Sequence, residues 1–299
     1  MNPMKKLAFY SFIIIIFFSS CRKSVINADN VPYLDTSIHH FDTSNSNIDS
    51  TDDGNMLMGN LSNALLDTIQ PDNYLMVKTF YSLCYNRSRG IPNWVSWHVK
   101  LADLGTITRQ DDFRADSSLP PSWFYVDETS YLNSGFDRGH NCPSGDRTST
   151  VAANSSTFLM TNMIPQAPYL NQQTWGLLED SIRQLVHNGN EVFVIMGSYG
   201  SGGIGNNGAA TAIANGRITV PANVWKVIVV IPDGNQDLSR VNASTRVIAV
   251  NTPNINSVNR NWKVYRTSVD NIEALTGYNI LSNVAPSVQQ IIEPKIDNL

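Results

Sequence analysis

The fold prediction depends most on the polar stretch GFDRGHNCPSGDRTST, residues 135–150. Glycine, proline and charged residues are so dense in it that neither a helix interior nor a buried strand is expected. Residues 156–163 (STFLMTNM) then predict a strand, and residues 171–189 carry apolar side chains at helical spacing before Gly189, a stop signal. The order loop, strand, helix leaves one question, whether the loop is merely solvated or holds a site.

The pattern along the rest of the chain predicts an α+β fold with a mainly antiparallel central sheet flanked by helices. Segments rich in β-branched and aromatic residues are the predicted strands: residues 73–86, 94–101, 191–197, 224–232 and 245–251. Short closing helices are predicted over residues 268–281 and 287–296, and residues 103–135 are expected to be mostly loop. Because strands outnumber helices and do not alternate with them, antiparallel pairing is favoured.

The N-terminus predicts export. Two lysines precede an apolar run from Leu7 to Phe18, and two serines and Cys21 follow it. This is the order of a secretory signal, and the run is too short to span a bilayer of about 30 Å. Because a cysteine after small residues resembles the lipobox of bacterial lipoproteins, residues 1–20 are predicted to be a lipoprotein-type signal peptide and Cys21 to be acylated. The expected location is the bacterial cell envelope, at the outer membrane or cell surface, with a periplasmic or secreted form as the alternative.

Residues 22–54 are predicted to be a disordered tether, because they are rich in Ser, Asn, Asp and Thr and have no helix or strand period. The folded domain is predicted over residues 55–299. From residue 74 onward the chain has 17 basic and 17 acidic residues, so its net charge indicates no nucleic-acid partner and leaves a local basic groove open. Cys84 and Cys142 suit either a disulfide in an exported protein or two small buried side chains.

A hairpin packed on the helix would bring His140, Asn162, Asn171 and Glu179 toward one cleft. A neutral histidine takes a proton from water near neutral pH, and an arginine such as Arg138 offers a planar fork to phosphate oxygens. A hard ion such as Mg²⁺ needs only one or two oxygen ligands from the protein. Asn171 can supply one, and Glu179 can act through a metal-bound water. The set suits hydrolysis of a phosphodiester.

Each of these residues also has a simpler explanation. Asn171 suits the cap of a helix, and Glu179 suits the exposed face of an amphipathic one. Asp137 and Arg138 suit an ion pair within the loop, and His140 suits a structural hydrogen bond. On residue chemistry alone, a catalytic role for His140 and a structural one are about equally supported.

Three ordered motifs carry a resemblance to a known family. DRGH (137–140), TFLMTNMIPQ (157–166) and NQQTWGLLE (171–179) resemble the DNA/RNA non-specific endonucleases, ββα-metal nucleases that include mitochondrial endonuclease G. The resemblance spans nearly the whole predicted domain and implies the ββα-metal nuclease fold.

The resemblance also implies these roles: His140 as general base, Asn171 as direct Mg²⁺ ligand, Glu179 as holder of a metal-bound water, Arg138 as a phosphate or geometry residue, Asn162 as a support near the metal, and Asp137 as a residue that orients the loop. It also implies an upstream arginine, for which Arg109 fits better than Arg114.

The function expected from the resemblance is metal-dependent cleavage of DNA and RNA with little sequence preference. The implied cofactor is Mg²⁺, with Mn²⁺ or another divalent ion as alternatives, and the implied partners are nucleic acid as substrate and a membrane through the lipid on Cys21. Two other functions stay open at this point. One is a phosphodiesterase of the same fold that acts on another substrate, and the other is an inactive surface lipoprotein that binds nucleic acid.

Overall fold

The computed structural model describes residues 53–299. The strands, in chain order, are β1 (Tyr74–Val77), β2 (Ser82–Asn86), β3 (Ile91–Val99), β4 (Asp137–His140), β5 (Met163–Gln166), β6 (Asn190–Tyr199), β7 (Gly203–Gly205), β8 (Gly208–Ala210), β9 (Ala212–Ile213), β10 (Ile218–Thr219), β11 (Asn223–Pro232), β12 (Arg246–Pro253) and β13 (Arg266–Thr267). The α-helices are α1 (Val151–Ser156), α2 (Gly176–His187), α3 (Asp237–Arg240), α4 (Val269–Thr276) and α5 (Pro286–Ile292), and a π-helical turn (Leu170–Trp175) precedes α2.

Seven strands form one antiparallel sheet in the order β1-β2-β3-β6-β11-β12-β13. Its centre is β6 and β11, which pair over ten residues from Asn223 opposite Tyr199 to Pro232 opposite Asn190. Both strands are largely apolar and mostly buried, as expected for strands that are covered on both faces. The α+β fold class with a mainly antiparallel sheet is therefore confirmed.

The two faces of this sheet bury different elements, because successive side chains of a strand point to opposite sides. Val192, Val194 and Met196 of β6 join a core cluster with α2, and this side is named the cleft face. Phe193 and Ile195 join the other cluster with residues 56–64, α4 and α5, and this side is named the far face. Cys84 lies in the far-face cluster and Cys142 in the cleft-face cluster, and both are free thiols.

A ribbon of β4 and β5 packs with α2 on the cleft face, which gives the predicted hairpin-on-helix arrangement. α2 contributes Leu178, Ile182 and Val186, which recur every four residues and are almost fully buried. Each such burial contributes roughly 1.5–3 kcal/mol to stability. α2 ends at His187 with Asn188 as its C-cap, and Gly189 follows with a φ of 85°, as its position as a stop signal predicts.

Two predictions for the segments around this ribbon are wrong. Residues 137–140 form strand β4, although no buried strand was expected in this stretch. The strand accommodates its two charged residues because Asp137 and Arg138 lie half-exposed toward the cleft, and only Gly139 and His140 are buried. Residues 156–163 are not one strand, since α1 ends at Ser156 and β5 begins only at Met163. The apolar residues between them enter the core from a turn.

The predicted strand over residues 73–86 is two strands. A turn through Lys78 separates β1 from β2, and the Lys78 amide hydrogen-bonds the carbonyl of Tyr81. No glycine or proline lies in this turn, so no breaker signal marks it in the sequence.

The predicted signal peptide, Cys21 and residues 22–52 lie outside the described residues. Asp53 and Gly54, which end the predicted tether, are described. Gly54 is buried, and Asp53 forms an ion pair with Lys100. Among residues 53–299, no helix has the length and apolar character needed to cross a membrane.

Candidate active site

A cleft of about 390 Å³ opens beside the β4–β5 ribbon and the start of the long helix. It brings four of the predicted site residues into one lining: Arg109, Asp137, Arg138 and Asn171. The opposite wall comes from the loop between Glu128 and Phe136. The ribbon supplies Asp137 and Arg138, and the long loop that precedes it supplies Arg109.

His140 lies at the buried end of β4, with 9% of its surface exposed. Its ring meets Phe113 and Phe158 edge-on, with centroid distances of 5.6 Å and 5.0 Å. One ring nitrogen hydrogen-bonds the backbone of Arg138, and Nε2 is buried without a hydrogen-bond partner among residues 53–299. The backbone bond fixes the proton on Nδ1 and leaves the Nε2 lone pair available.

Burial, followed by the nearby positive charges of Arg109 and Arg138, lowers the pKa of His140 from its ordinary value of 6.5 to about 3. The ring is therefore neutral at neutral pH. A neutral ring with an unpartnered nitrogen is the form that accepts a proton, and the hydrogen bond to the backbone of Arg138 uses only the N–H donor of the ring. The geometry favours the catalytic interpretation of His140 over the structural one.

Both arginines are stacked on the phenylalanines that enclose His140. The Arg138 guanidinium lies 3.8 Å from the Phe113 centroid, and that of Arg109 lies 4.8 Å from the Phe158 centroid. Arg109 also donates through Nε to Asp111 Oδ1 at 2.6 Å and through Nη1 to Ser144 Oγ at 2.8 Å. Stacking holds a guanidinium flat, and the N–H groups that these bonds leave unused can bind phosphate oxygens.

The structure distinguishes the two upstream arginines. Arg109 lines the cleft, whereas Arg114 is held by Asp112 and by the carbonyl of Ser155, at 2.8 Å and 3.0 Å. Arg114 is therefore a local structural residue, and Arg109 has the position expected of a phosphate ligand.

Asn171 lies inside the π-helical turn rather than at a helix cap, and its backbone amide bonds Ala167 at 2.9 Å. The helix-cap explanation for Asn171 is therefore wrong. Its Nδ2 donates to Asp137 Oδ2 at 2.8 Å, and Gln172 donates to the same oxygen at 2.9 Å. Asp137 thus orients the amide of Asn171, and Oδ1 accepts no hydrogen bond from the described part of the chain.

The π-helical turn affects how Asn171 and Glu179 face each other. Eight residues of an α-helix rotate through about 2.2 turns, which would leave the two side chains about 80° apart. A π turn has more residues per turn, so it reduces this offset, and such turns are frequent at functional sites.

Glu179 is 17% exposed and faces a network of charges rather than open solvent. Its Oε1 lies 3.3 Å from Nζ of Lys226, a fully buried lysine of β11 whose ammonium contacts the rings of Trp97 and Trp175 at 5.5 Å and 5.1 Å. Burial raises the pKa of Glu179, while the positive charges of Lys226 and Arg183 oppose the shift. The explanation of Glu179 as an ordinary surface residue is therefore wrong.

Asn162 is fully buried, and its side-chain amide forms hydrogen bonds with backbone groups. Oδ1 accepts from the Cys142 amide at 3.0 Å, and Nδ2 donates to the carbonyls of Cys142 and Thr157 at 2.8 Å and 2.9 Å. Asn162 therefore fixes the chain that follows His140, which is a supporting role without direct contact to the cleft.

Sequence reasoning missed several residues that complete the site: Phe113, Asp146, Phe158, Gln172, Arg183 and Lys226. Lys226 had a signal, since a lysine in the middle of a buried strand needs a charged partner. Arg183 bonds Asp146 at 2.9 Å and lies four residues after Glu179 on α2, a spacing that places two side chains on one helix face. The aromatic enclosure of His140 gave no local signal, because Phe113 comes from a loop.

The donor set fits a hard divalent ion. Asn171 offers a neutral oxygen held in place by Asp137, and Glu179 offers a carboxylate kept near the cleft face by Lys226. Mg²⁺ keeps most of its waters and takes one or two protein oxygens, so these residues are sufficient for it. Neither of the two groups of metal-ligating side chains found elsewhere in residues 53–299 contains Asn171 or Glu179.

A two-stranded ribbon and helix that present a neutral histidine, an oriented amide oxygen and two stacked arginines define a metal-dependent nuclease of the ββα class. Residues 66–287 match the family model for DNA/RNA non-specific endonucleases. A nuclease of Nostoc sp. is 48% identical over 243 residues, which are 81% of this chain and 86% of that protein. The chain therefore belongs to the DNA/RNA non-specific endonuclease family.

Two further comparisons agree. Human mitochondrial endonuclease G is 31% identical over 163 residues, which are 52% of this chain and 54% of that protein. A crystal structure of EndoG in complex with EndoGI has the same fold, with a TM-score of 0.61 at 24% identity over 77% of this chain and 91% of that one. The family depends on divalent metal ions and cleaves DNA and RNA, so the predicted enzyme class is confirmed.

Proposed function

We propose that this protein is an exported, Mg²⁺-dependent endonuclease that hydrolyses DNA and RNA at sites chosen by backbone geometry rather than sequence. The single observation that supports it best is His140, a buried neutral imidazole whose Nε2 has no hydrogen-bond partner among the described residues and whose neighbours are two arginines. This combination offers a proton acceptor beside two phosphate-binding groups.

In the proposed reaction, Nε2 of His140 takes a proton from the water that attacks the phosphorus. The backbone bond to Arg138 holds the ring in the required tautomer, and Phe113 and Phe158 exclude bulk water from its faces. Because the resting ring is neutral, no deprotonation step precedes catalysis at neutral pH.

Arg138 and Arg109 position the scissile phosphate by bidentate contacts to its oxygens. Such contacts recognise the backbone shared by DNA and RNA and carry no sequence information, which suits low sequence preference. Asn171 and Glu179 would hold the ion, and Asp137 and Lys226 keep these two side chains in place. A bound Mg²⁺ would stabilise the negative charge that develops at the phosphate and leaving oxygen.

Export and lipid attachment are part of the proposal, supported by the N-terminal sequence. The charged start, the short apolar run and Cys21 match a lipoprotein signal. Cys21→Ser should move the protein from the membrane fraction to the soluble fraction of the producing bacterium. If the wild-type protein is already soluble and begins downstream of Cys21, lipid attachment is excluded.

Cleavage of supercoiled plasmid and of single-stranded RNA, each with EDTA and with Mg²⁺ or Mn²⁺ restored, tests the proposed function. We expect both polymers to be cut, no cutting in EDTA, and recovery with Mg²⁺. Cleavage of small phosphodiesters alone would indicate another phosphodiesterase. Binding of DNA without cleavage in any of the metals would indicate an inactive binding protein.

A further inference from the structure

Three carboxylates meet on the far face, away from the catalytic residues. Asp270 and Glu273 belong to α4, and Glu293 is the C-cap of α5. One oxygen from each lies within 4.8 Å of the others. None of the three forms an ion pair with a lysine, arginine or histidine of residues 53–299, so the group has no paired cation there.

Glu293 gives this group a property that exposed acidic clusters lack. It is 7% exposed, and its Oε1 is buried without a hydrogen-bond partner in the described part of the chain. A buried carboxylate oxygen without a partner is costly, and its presence in a native fold requires an explanation. A missing ligand of the group is the simplest one.

The surroundings increase the negative potential. Glu293 lies at the C-terminal end of α5, where the helix dipole is negative, whereas Asp270 in the first turn of α4 is partly compensated by the positive end of its helix. Burial, followed by the charges of Glu273 and Asp270, raises the pKa of Glu293 to about 7. A positive ion among these oxygens would remove the cost.

We propose that Asp270, Glu273 and Glu293 form a structural site for a hard divalent cation of the Ca²⁺ type. Ca²⁺ takes six to eight oxygen ligands in flexible geometry, including mono- and bidentate carboxylates, and water can complete the shell. Mg²⁺ fits less well, because it requires a near-octahedral shell and binds few carboxylates.

The bound ion would join α4 to the end of α5. These elements already touch through the backbone, since the Asp270 amide donates to the Glu293 carbonyl at 3.3 Å, and Glu273 accepts from the Ile280 amide at 2.6 Å. The site therefore closes the far-face layer that packs on the sheet, and its effect is on stability rather than on catalysis.

Thermal unfolding of the protein in EDTA and in Ca²⁺ tests this site. At a Ca²⁺ concentration near 100 times Kd, we expect Tm to rise by about 5–10 °C. Asn171→Ala, which removes the catalytic ligand, should keep the rise. Glu293→Gln should lose it and should have a higher Tm than wild type in EDTA, because the substitution removes a buried negative charge.

Asp233→Asn, which changes an exposed carboxylate outside the group, is the matched control and should behave like wild type. Calorimetric titration with Ca²⁺ gives an independent readout: one binding event that Asn171→Ala retains and that Glu293→Gln and Glu273→Gln both lose. A Ca²⁺-independent Tm in the wild type would overturn the proposal, as would a rise that Glu293→Gln shares.

Discussion

Two buried histidines of the same domain have opposite environments. His98 on β3, 4% exposed, has Glu191 Oε2 at 3.0 Å from Nε2 and Asp53 Oδ1 at 3.8 Å from Nδ1. Among residues 53–299, no acidic side chain lies at the ring nitrogens of His140 on β4, and its Nε2 has no hydrogen-bond partner. Both rings contact phenylalanine, His98 by stacking on Phe193 at 4.4 Å.

The difference separates a structural histidine from the proposed general base. Glu191 and the neighbouring Asp237 are also paired with Arg240, so the His98 region is a compensated network inside the fold. At His140 the nearby charges are the cations Arg109 and Arg138, which oppose protonation and leave the lone pair unused. Burial alone therefore does not distinguish the two rings, whereas an unpartnered acceptor beside two cations does.

Removal of His140 is expected to have the largest effect. Loss of a general base costs about 10²–10⁴-fold in rate, so His140→Ala should cleave plasmid that much more slowly while it folds normally by circular dichroism. Added Mg²⁺ should not restore the rate, because the defect is in proton transfer. Cleavage by His140→Ala at the wild-type rate would remove the distinction between the two histidines.

The metal side of the site should respond differently. Asp137→Ala leaves the amide of Asn171 unoriented, and loss of such a supporting partner typically costs about 10–100-fold in metal affinity. We expect a correspondingly higher Mg²⁺ concentration for half-maximal rate, with most of the rate recovered at saturation. Asn171→Ala should show a larger shift. An unchanged Mg²⁺ dependence in both variants would show that the ion is held elsewhere.

His98→Ala should lower stability rather than turnover. It leaves the buried Glu191 with Arg240 as its remaining partner, and loss of one hydrogen bond to a buried acceptor costs about 1–3 kcal/mol. Urea unfolding measures this cost, and the rate per folded molecule should equal that of wild type. If turnover of the folded fraction falls as it does for His140→Ala, the structural interpretation of His98 is incorrect.

The smallest expected effect is on stability against pH. The pKa of His140 is about 3 in the folded protein and about 6.5 when unfolded, so only the unfolded chain takes up the proton as pH falls through this window. The free energy of unfolding should therefore decrease, by about 2 kcal/mol between pH 7 and pH 5 from this residue alone. His140→Gln should lack this part of the slope, and equal slopes in the two proteins would contradict the shift.

Long apolar segments were predictable from the sequence. β6, β11, β12 and α2 were all expected within a few residues of their bounds, because their burial depends on local patterns of period 2 or 3.6. β4 was not, since four residues with two charges carry no such pattern, and it forms only when β5 is available to pair with it.

The candidate site was predictable only in part. The motif residues His140, Asn171 and Glu179 stand out in the sequence by resemblance, but their supports come from distant segments. Lys226 reaches Glu179 from 47 residues away, and the π-helical turn that rotates Asn171 has no recognised sequence signal. Such contacts depend on tertiary packing rather than on local composition.

The most direct measurement of the central claim is the protonation state of His140. Nitrogen-15 NMR of the histidine rings, assigned with His140→Gln and followed from pH 7.5 to pH 5, reports both the charge and the proton position. We expect that His140 stays neutral throughout, with the proton on Nδ1 and an unprotonated Nε2, in keeping with a pKa of about 3. Titration with a midpoint near 6.5, or a proton on Nε2 of the neutral ring, would contradict it.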